Sequence, residues 1–221
     1  MHRHVDTDLN DLKDLLLSMG GCVEKAIDEV HEGITKKSEV HLAQVEKQEK
    51  LINELHTRVD EECLKFLAMQ APVASDLRLV LAVIKINTDL ERMGDQTLNI
   101  CYNGREFLRS TIEQVPKELD SMKKEVRFMV KSALDAFVRQ DVELCKKVLN
   151  HDDIVDRYRN QIVDQLKTKL KSDPNNTDAY LNLIMIAKNM ERLADHATNI
   201  AEDVIFVATG TDIRHGHEQI K

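Results

Sequence analysis

The sequence predicts an all-α protein made of six long helices, arranged as two tandem, internally duplicated three-helix bundles. Apolar residues recur at three- and four-residue steps along most of the chain, and no strand pattern competes with them. The 221 residues include only 7 glycines and 3 prolines, so few residues interrupt a helix. The helical pattern of the first half also returns in the second half, which indicates duplication of one unit.

The first two helices follow from periodicity and from local start and stop signals. Apolar positions from Leu9 to Ile34 form one face of a first helix, in which Gly20-Gly21 indicates a bend or a close packing contact. Ser38 is a suitable N-cap for a second helix. Pro72 ends that helix because proline has no backbone N–H to donate to the preceding turn.

The remaining helices complete the first unit and repeat it. The third helix begins at Ser75 or Asp76 and ends near Leu108. Residues 111–118 (TIEQVPKE) contain a proline near the middle of the chain and form the predicted linker. Three further helices are predicted over 119–137, 141–170 and 178–208, with a turn at 173–176. The predicted units are therefore residues 1–111 and 112–221.

The duplication is clearest in the third and sixth helices, whose predicted buried faces correspond position by position. With about 100° per residue, one face of the third helix contains Leu79, Val83, Ile86, Leu90, Met93, Thr97 and Ile100. The positions 100 residues later are Ala179, Leu183, Ile186, Met190, Leu193, Ala197 and Ile200. Both sets suit the core face of a helix.

The same two helices carry a repeated acidic motif, DLERMGDQTLNI in the third and NMERLADHATNI in the sixth. Each motif places a glutamate one turn before an aspartate, away from the apolar face. Ionised carboxylates at that spacing repel each other by about 3 kcal/mol at an effective dielectric constant near 20. Arg92 and Arg192 follow the glutamates directly, so we expect them to point about 100° away and leave the acids unneutralised.

Acidic residues on the second and fifth helices extend this pattern. Asp152 and Asp156 repeat the four-residue spacing, whereas the equivalent positions in the first half are Glu49 and Asn53. Neighbouring helices could therefore supply oxygen ligands for Mg²⁺, Mn²⁺, Fe or Zn²⁺. The candidate ligands are Glu91, Asp95, Glu191, Asp195, Asp152, Asp156 and Glu49. From the spacing alone, a cation site and a solvated acidic face both remain open.

Composition and missing motifs exclude other classes. A net charge of −8 argues against nucleic-acid binding, which requires a basic surface. The chain shows no signal-peptide pattern and no apolar run long enough to span a bilayer, so we expect a cytoplasmic protein with at most peripheral membrane contact. There is no nucleophile motif and no Glu-x-x-His pair of the di-iron type, so we do not expect an enzyme.

With these motifs and this order of helices, the sequence resembles the PhoU family, which consists of regulatory proteins of the bacterial phosphate-specific ABC transport system. The segment QAPVASDLRLVLAVIKINTDLERMGD is similar to the most distinctive stretch of that family, and the Glu-Arg-x-x-Asp motif occurs once in each half. The similarity extends from about Leu9 to Val207.

The resemblance implies a homodimer that represses phosphate uptake and the phosphate-starvation response. It also implies contact with the cytoplasmic side of the phosphate transporter and with its sensor histidine kinase. Family members bind metal ions, including multinuclear clusters, through Glu/Asp-x-x-x-Asp motifs, which correspond here to Glu91/Asp95, Glu191/Asp195 and Asp152/Asp156. Glu49/Asn53 departs from this motif. A carboxylate-bridged metalloprotein and a helical scaffold unrelated to phosphate are the alternatives.

Overall fold

The computed structural model describes residues 2–70, 72–211 and 213, with side chains from Thr7 onward. These residues form six α-helices and one 3₁₀ turn, Pro174–Asn176, and contain no strand. The helices are α1 His2–Thr35, α2 Glu39–Met69, α3 Ala74–Leu108, α4 Glu118–Arg139, α5 Val142–Ser172 and α6 Thr177–Thr209. The predicted all-α class and the order of six helices are confirmed.

Local chemistry explains several helix ends. The side chain of Asp141 accepts a hydrogen bond from the backbone N–H of Leu144 at 3.0 Å, so it caps the start of α5. Ser38 occupies the predicted N-cap of α2, although its side chain makes no capping hydrogen bond. The helix α6 ends at Gly210, whose φ of 75° lies in the left-handed region that glycine adopts without strain.

The helices pack as two three-helix units. Helix α1 packs against α2 and α3, and α4 packs against α5 and α6. All fourteen residues predicted for the core faces of α3 and α6 are buried, including Thr97, whose hydroxyl donates to the carbonyl of Gly94 at 2.8 Å. The tandem duplication of a three-helix bundle is therefore confirmed, and the division of the chain between residues 111 and 112 stays a prediction.

The two units contact each other mainly through α3 and α6, the most extensive contact between any two helices. Lys85 Nζ lies 3.0 Å from Asp203 Oδ1, and Asp89 Oδ1 lies 2.8 Å from His196 Nδ1. Because residue numbers rise along α3 as they fall along α6, the two motif helices run antiparallel. Their acidic motifs therefore belong to one contact region of the molecule.

Helices α1 and α4 form a second contact between the units. A Cβ atom at Gly20 would lie 2.3 Å from Leu134 Cδ1, so glycine lets these helices approach closely. Asp28 pairs with both Lys123 and Arg127 nearby. Helix α1 continues through Gly20-Gly21, which favours the packing interpretation of these glycines over a break in the helix.

Candidate metal centre

In the second unit, α5 and α6 bring four of the predicted ligands into one acidic group, Asp152, Asp156, Glu191 and Asp195, called here the α5–α6 carboxylates. Arg159 Nη2 lies 3.0 Å from Asp156 Oδ1 and 3.2 Å from Glu191 Oε1, so one nitrogen of this side chain contacts an acid on each helix. After burial, the negative charges of Asp195 and Asp156 are the main causes of a raised pKa at Asp152. Arg159 therefore links one acid of the pair on α5 to one acid of the pair on α6.

Burial and repulsion shift the ionisation of this group. Burial, followed by the charges of Asp195 and Asp156, raises the pKa of Asp152 to about 6. Burial and Asp195 also raise the pKa of Glu191, against the opposing charges of Arg159 and Arg192. A bound cation would offset the negative charge that makes ionisation of these residues unfavourable.

In the first unit, the acids of the motif are paired within their own helix. Arg92 Nε lies 3.4 Å from Glu91 Oε2, and Arg92 Nη1 lies 3.2 Å from Asp95 Oδ2. The expectation that Arg92 leaves the acids unneutralised is therefore wrong. The angular estimate follows the direction of the Cα–Cβ bond, whereas the long arginine side chain turns back along the helix surface.

Glu49 is also satisfied locally. Its carboxylate accepts a hydrogen bond from Asn53 Nδ2 at 2.6 Å, so the residue that departs from the acidic spacing acts as an internal donor. The hydrogen bonds and ion pairs of the described residues do not join Glu49 to Glu91 or Asp95.

The two units differ in how their acidic side chains are distributed over the helices. The α5–α6 carboxylates offer oxygen ligands from two helices, as Mg²⁺ and Mn²⁺ prefer. Glu91 and Asp95 lie on one helix and pair with Arg92, much as Asp156 and Glu191 pair with Arg159 across two helices. Across the part of the chain that the structure describes, no three histidine, cysteine or carboxylate side chains converge on one point closely enough to hold an ion as they stand.

Sequence reasoning missed Arg159. Its position three residues after Asp156 is a visible signal for a pair along one helix. The contact with Glu191 is not visible in the sequence, because it depends on how α5 lies against α6.

The motif helices also carry a polar contact between units that the sequence did not suggest. Asp89, two residues before Glu91, accepts from Asn199 Nδ2 at 3.2 Å and pairs with His196.

Within the described residues, no helix combines the length and the apolarity that crossing a membrane requires.

The fold and this acidic group define a class of protein: a tandem pair of three-helix bundles with an acidic motif helix in each. The model of the PhoU domain matches residues 16–103 and 119–204, one match in each unit. The chain belongs to the PhoU family.

Individual relatives match along nearly the whole chain. The phosphate-specific transport system accessory protein PhoU homolog of Pseudomonas aeruginosa is 36% identical over 95% of this chain and 87% of its own length. The homolog of Pseudomonas putida is 34% identical over 95% of this chain and 82% of its own length. The crystal structure of PhoU from Pseudomonas aeruginosa superposes with a TM-score of 0.88 at 34% identity, covering 93% of this chain and 99% of that one.

Proposed function

We propose that this protein is a negative regulator of phosphate uptake and of the phosphate-starvation response. In this proposal it is a metal-binding adaptor between the phosphate ABC transporter and its sensor histidine kinase. The observation that carries the proposal is the match to the PhoU domain in both units, together with relatives named as accessory proteins of a phosphate-specific transport system. The protein acts by binding and is not an enzyme.

The metal-binding part of the proposal is supported by the α5–α6 carboxylates. Asp152, Asp156, Glu191 and Asp195 would hold one or more divalent cations through carboxylate oxygens. Fe, Zn, Mn and Mg remain the candidate metals, and the all-oxygen donor set favours Mn²⁺ and Mg²⁺ among them. The raised pKa of Asp152 supports the proposal because the cation would compensate a charge that the fold itself leaves poorly compensated.

The proposed partners are supported by the family and by the names of the relatives. We propose a homodimer at the cytoplasmic face of the membrane, held there by contact with the transporter. Sedimentation equilibrium of the purified protein measures the dimer, and a mass equal to one chain at micromolar concentration would contradict it.

Deletion of the gene tests the regulatory role. In high phosphate, a deletion strain is expected to express phosphate-starvation genes, measured with a transcriptional reporter, and to take up labelled phosphate faster than its parent. Complementation with the wild-type gene restores repression, and an affinity tag on that copy is expected to recover the transporter and the kinase.

Two results would contradict this proposal in different ways. Normal repression and normal uptake in the deletion strain would reject the regulatory role itself. Restored repression without recovery of the kinase, after cross-linking in high and in low phosphate, would reject only the adaptor part.

A further inference from the structure

The first unit exposes a cluster of apolar side chains at the turn between α2 and α3. Of the thirteen large apolar side chains that are exposed in the described part of the chain, five lie between residues 64 and 81. They are Leu64, Met69, Val73, Leu77 and Leu81, called here the α2–α3 corner. An exposed apolar cluster of this kind is typical of an interaction surface.

The duplicated unit shows that the fold does not require this corner to be apolar. At the equivalent positions of the second unit, Lys167 replaces Leu64, Ser172 replaces Met69 and Thr177 replaces Leu77. The same helices therefore meet at a polar turn in the second unit. Each chain carries one apolar corner, and a surface that occurs once per chain and pairs with its own copy closes as a dimer.

Helices α1 and α2 border an open groove of about 780 Å³ that adjoins this corner. The apolar residues that line the groove are Leu12, Leu15, Phe66 and Met69. Met69 is 72% exposed and belongs to both the groove and the corner, so the two form one continuous surface.

The two walls of the groove carry opposite charge. The α1 wall contains Asp8, Asp11 and Asp14, and the α2 wall contains Arg58, Glu62 and Lys65. Lys65 pairs with Glu62 on its own helix at 3.2 Å, and among the described residues no ion pair crosses from one wall to the other. Asp11, Asp14 and Arg58 form no ion pair within that part of the chain, so their charges face the groove unneutralised.

We propose that the α1–α2 groove and the α2–α3 corner form the surface through which two copies of this chain associate. The inference rests on the homodimer of the proposed function and assigns its interface. When two such grooves face each other about a two-fold axis that runs along the groove, α1 of each copy lies over α2 of the other. The aspartates of one copy then oppose Arg58 and Lys65 of the second copy, and this contact occurs twice.

Charge also selects this orientation and this occupant. A two-fold axis across the groove would set α1 against α1, and aspartates would repel aspartates. A membrane rich in anionic lipid fits the groove less well than a second copy, because four of the six charged residues that line it are acidic. The second copy supplies both a basic wall for the acids and an acidic wall for the bases.

Reversing the charge of one wall at a time tests this surface. The acid-wall variant combines Asp11→Lys with Asp14→Lys, and the base-wall variant combines Arg58→Glu with Lys65→Glu. Sedimentation equilibrium of each full-length variant at fixed ionic strength gives the dissociation constant of the dimer. Each variant alone is expected to raise that constant at least about tenfold, because like charges then meet at both repeats of the contact.

An equimolar mixture of the two variants separates an interface from a structural defect. In a mixed dimer, the new lysines on α1 of one chain face the new glutamates on α2 of the other. The native aspartates of the base-wall variant face the native Arg58 and Lys65 of the acid-wall variant. The mixture is therefore expected to dimerise within about threefold of wild type, and native mass spectrometry identifies the heterodimer. Contacts within one chain do not produce this recovery.

The apolar part of the surface and the control use single positions and matched charges. Met69→Ser introduces the residue that the second unit has at this position and is expected to raise the dissociation constant about threefold to tenfold, because less apolar area is buried. The control combines Asp153→Lys with Asp164→Lys, the same change of charge at exposed positions of α5. It is expected to stay within about twofold of wild type. Thermal unfolding followed by circular dichroism checks that every variant is folded.

A dimer that persists unchanged in both wall variants would overturn the inference, leave the homodimer intact and assign the groove to a different partner. Loss of the dimer in both variants without recovery in the mixture would overturn it as well. If a double variant does not fold, Asp14→Lys and Arg58→Glu alone decide in the same scheme. A wild-type chain that stays monomeric rejects the homodimer of the proposed function and this inference together.

Discussion

The two units share their helix order and their buried faces but differ in how their acidic residues are neutralised. In the first unit, the acids are satisfied by neighbours on the same helix, Arg92 for Glu91 and Asp95, and Asn53 for Glu49. In the second unit, the charges of acids on α5 and α6 affect the pKa of Asp152, and Arg159 on α5 forms an ion pair with Glu191 on α6. The duplicated motif therefore has different neighbours in the two units.

The difference depends on residues outside the motif. Arg192 occupies the same motif position as Arg92, yet the ion pair with Glu191 comes from Arg159. Asp156 replaces the amide of Asn53, so the second unit gains a charge where the first has a hydrogen-bond donor. Three predictions test whether this contrast determines cation binding and stability.

The largest effect is expected on cation affinity. Asp152→Asn combined with Asp195→Asn should weaken Mn²⁺ binding at least about a hundredfold, because loss of two charged ligands removes more than the ten- to hundredfold typical of an outer partner. The matched pair Glu91→Gln with Asp95→Asn should change affinity by less than about threefold. Titration calorimetry of both variants at pH 7.5 measures the difference. Equal losses in both variants would mean that the two units bind metal alike.

An intermediate effect is expected on stability without metal. The folded-state pKa of Asp152 is raised from its ordinary value of 3.8 to about 6, so the folded state binds more protons than the unfolded state between these values. Stability from this group is therefore lost as pH rises from about 4 to 6, and the penalty is complete above 6. The substitution Asp152→Asn should therefore raise the free energy of unfolding by about 1 to 3 kcal/mol at pH 7 and by almost nothing at pH 4.

Urea unfolding of metal-free protein at the two pH values measures this gain. The equivalent change in the first unit, Glu49→Gln, is the control and should alter the free energy of unfolding by less than about 0.5 kcal/mol at either pH. A pH-independent effect of Asp152→Asn would show that packing, rather than its charge, limits stability at this position.

The smallest effect on the free energy of unfolding is expected for Arg92→Met. The side chain is 58% exposed and its partners lie on its own helix, so water and salt screen both ion pairs. The free energy of unfolding should change by less than about 0.5 kcal/mol, measured by the same urea titration. A loss above about 1 kcal/mol would contradict this expectation and show that the two ion pairs of Arg92 stabilise the first unit appreciably.

The sequence predicted the helical framework well because helices are encoded locally. The core faces of α3 and α6, the start of α5 near Asp141 and the stop before Pro72 all depend on residues within a few turns of each other. The resemblance to the PhoU family likewise required only contiguous segments and their repetition.

The assignment of the acids as metal ligands stays a prediction. The acidic spacing identified Asp152, Asp156, Glu191 and Asp195, but it gave equal standing to Glu91, Asp95 and Glu49. The sequence did not distinguish these two sets of acids. The side chains that pair with them, Arg92, Asn53 and Arg159, make contacts that residue spacing does not reveal. Arg92 was placed wrongly, since a flexible side chain does not follow the angle of its Cα–Cβ bond.

The sequence by itself determined six helices, two similar units and rows of acids away from each core face. Only the tertiary structure decided which acids influence one another's pKa. Charge interactions depend on distance and burial, and these are set by how α5 packs against α6 rather than by spacing along either helix. For that reason one unit has acids neutralised within single helices, and the other has a shared group with a raised pKa and an arginine between its helices.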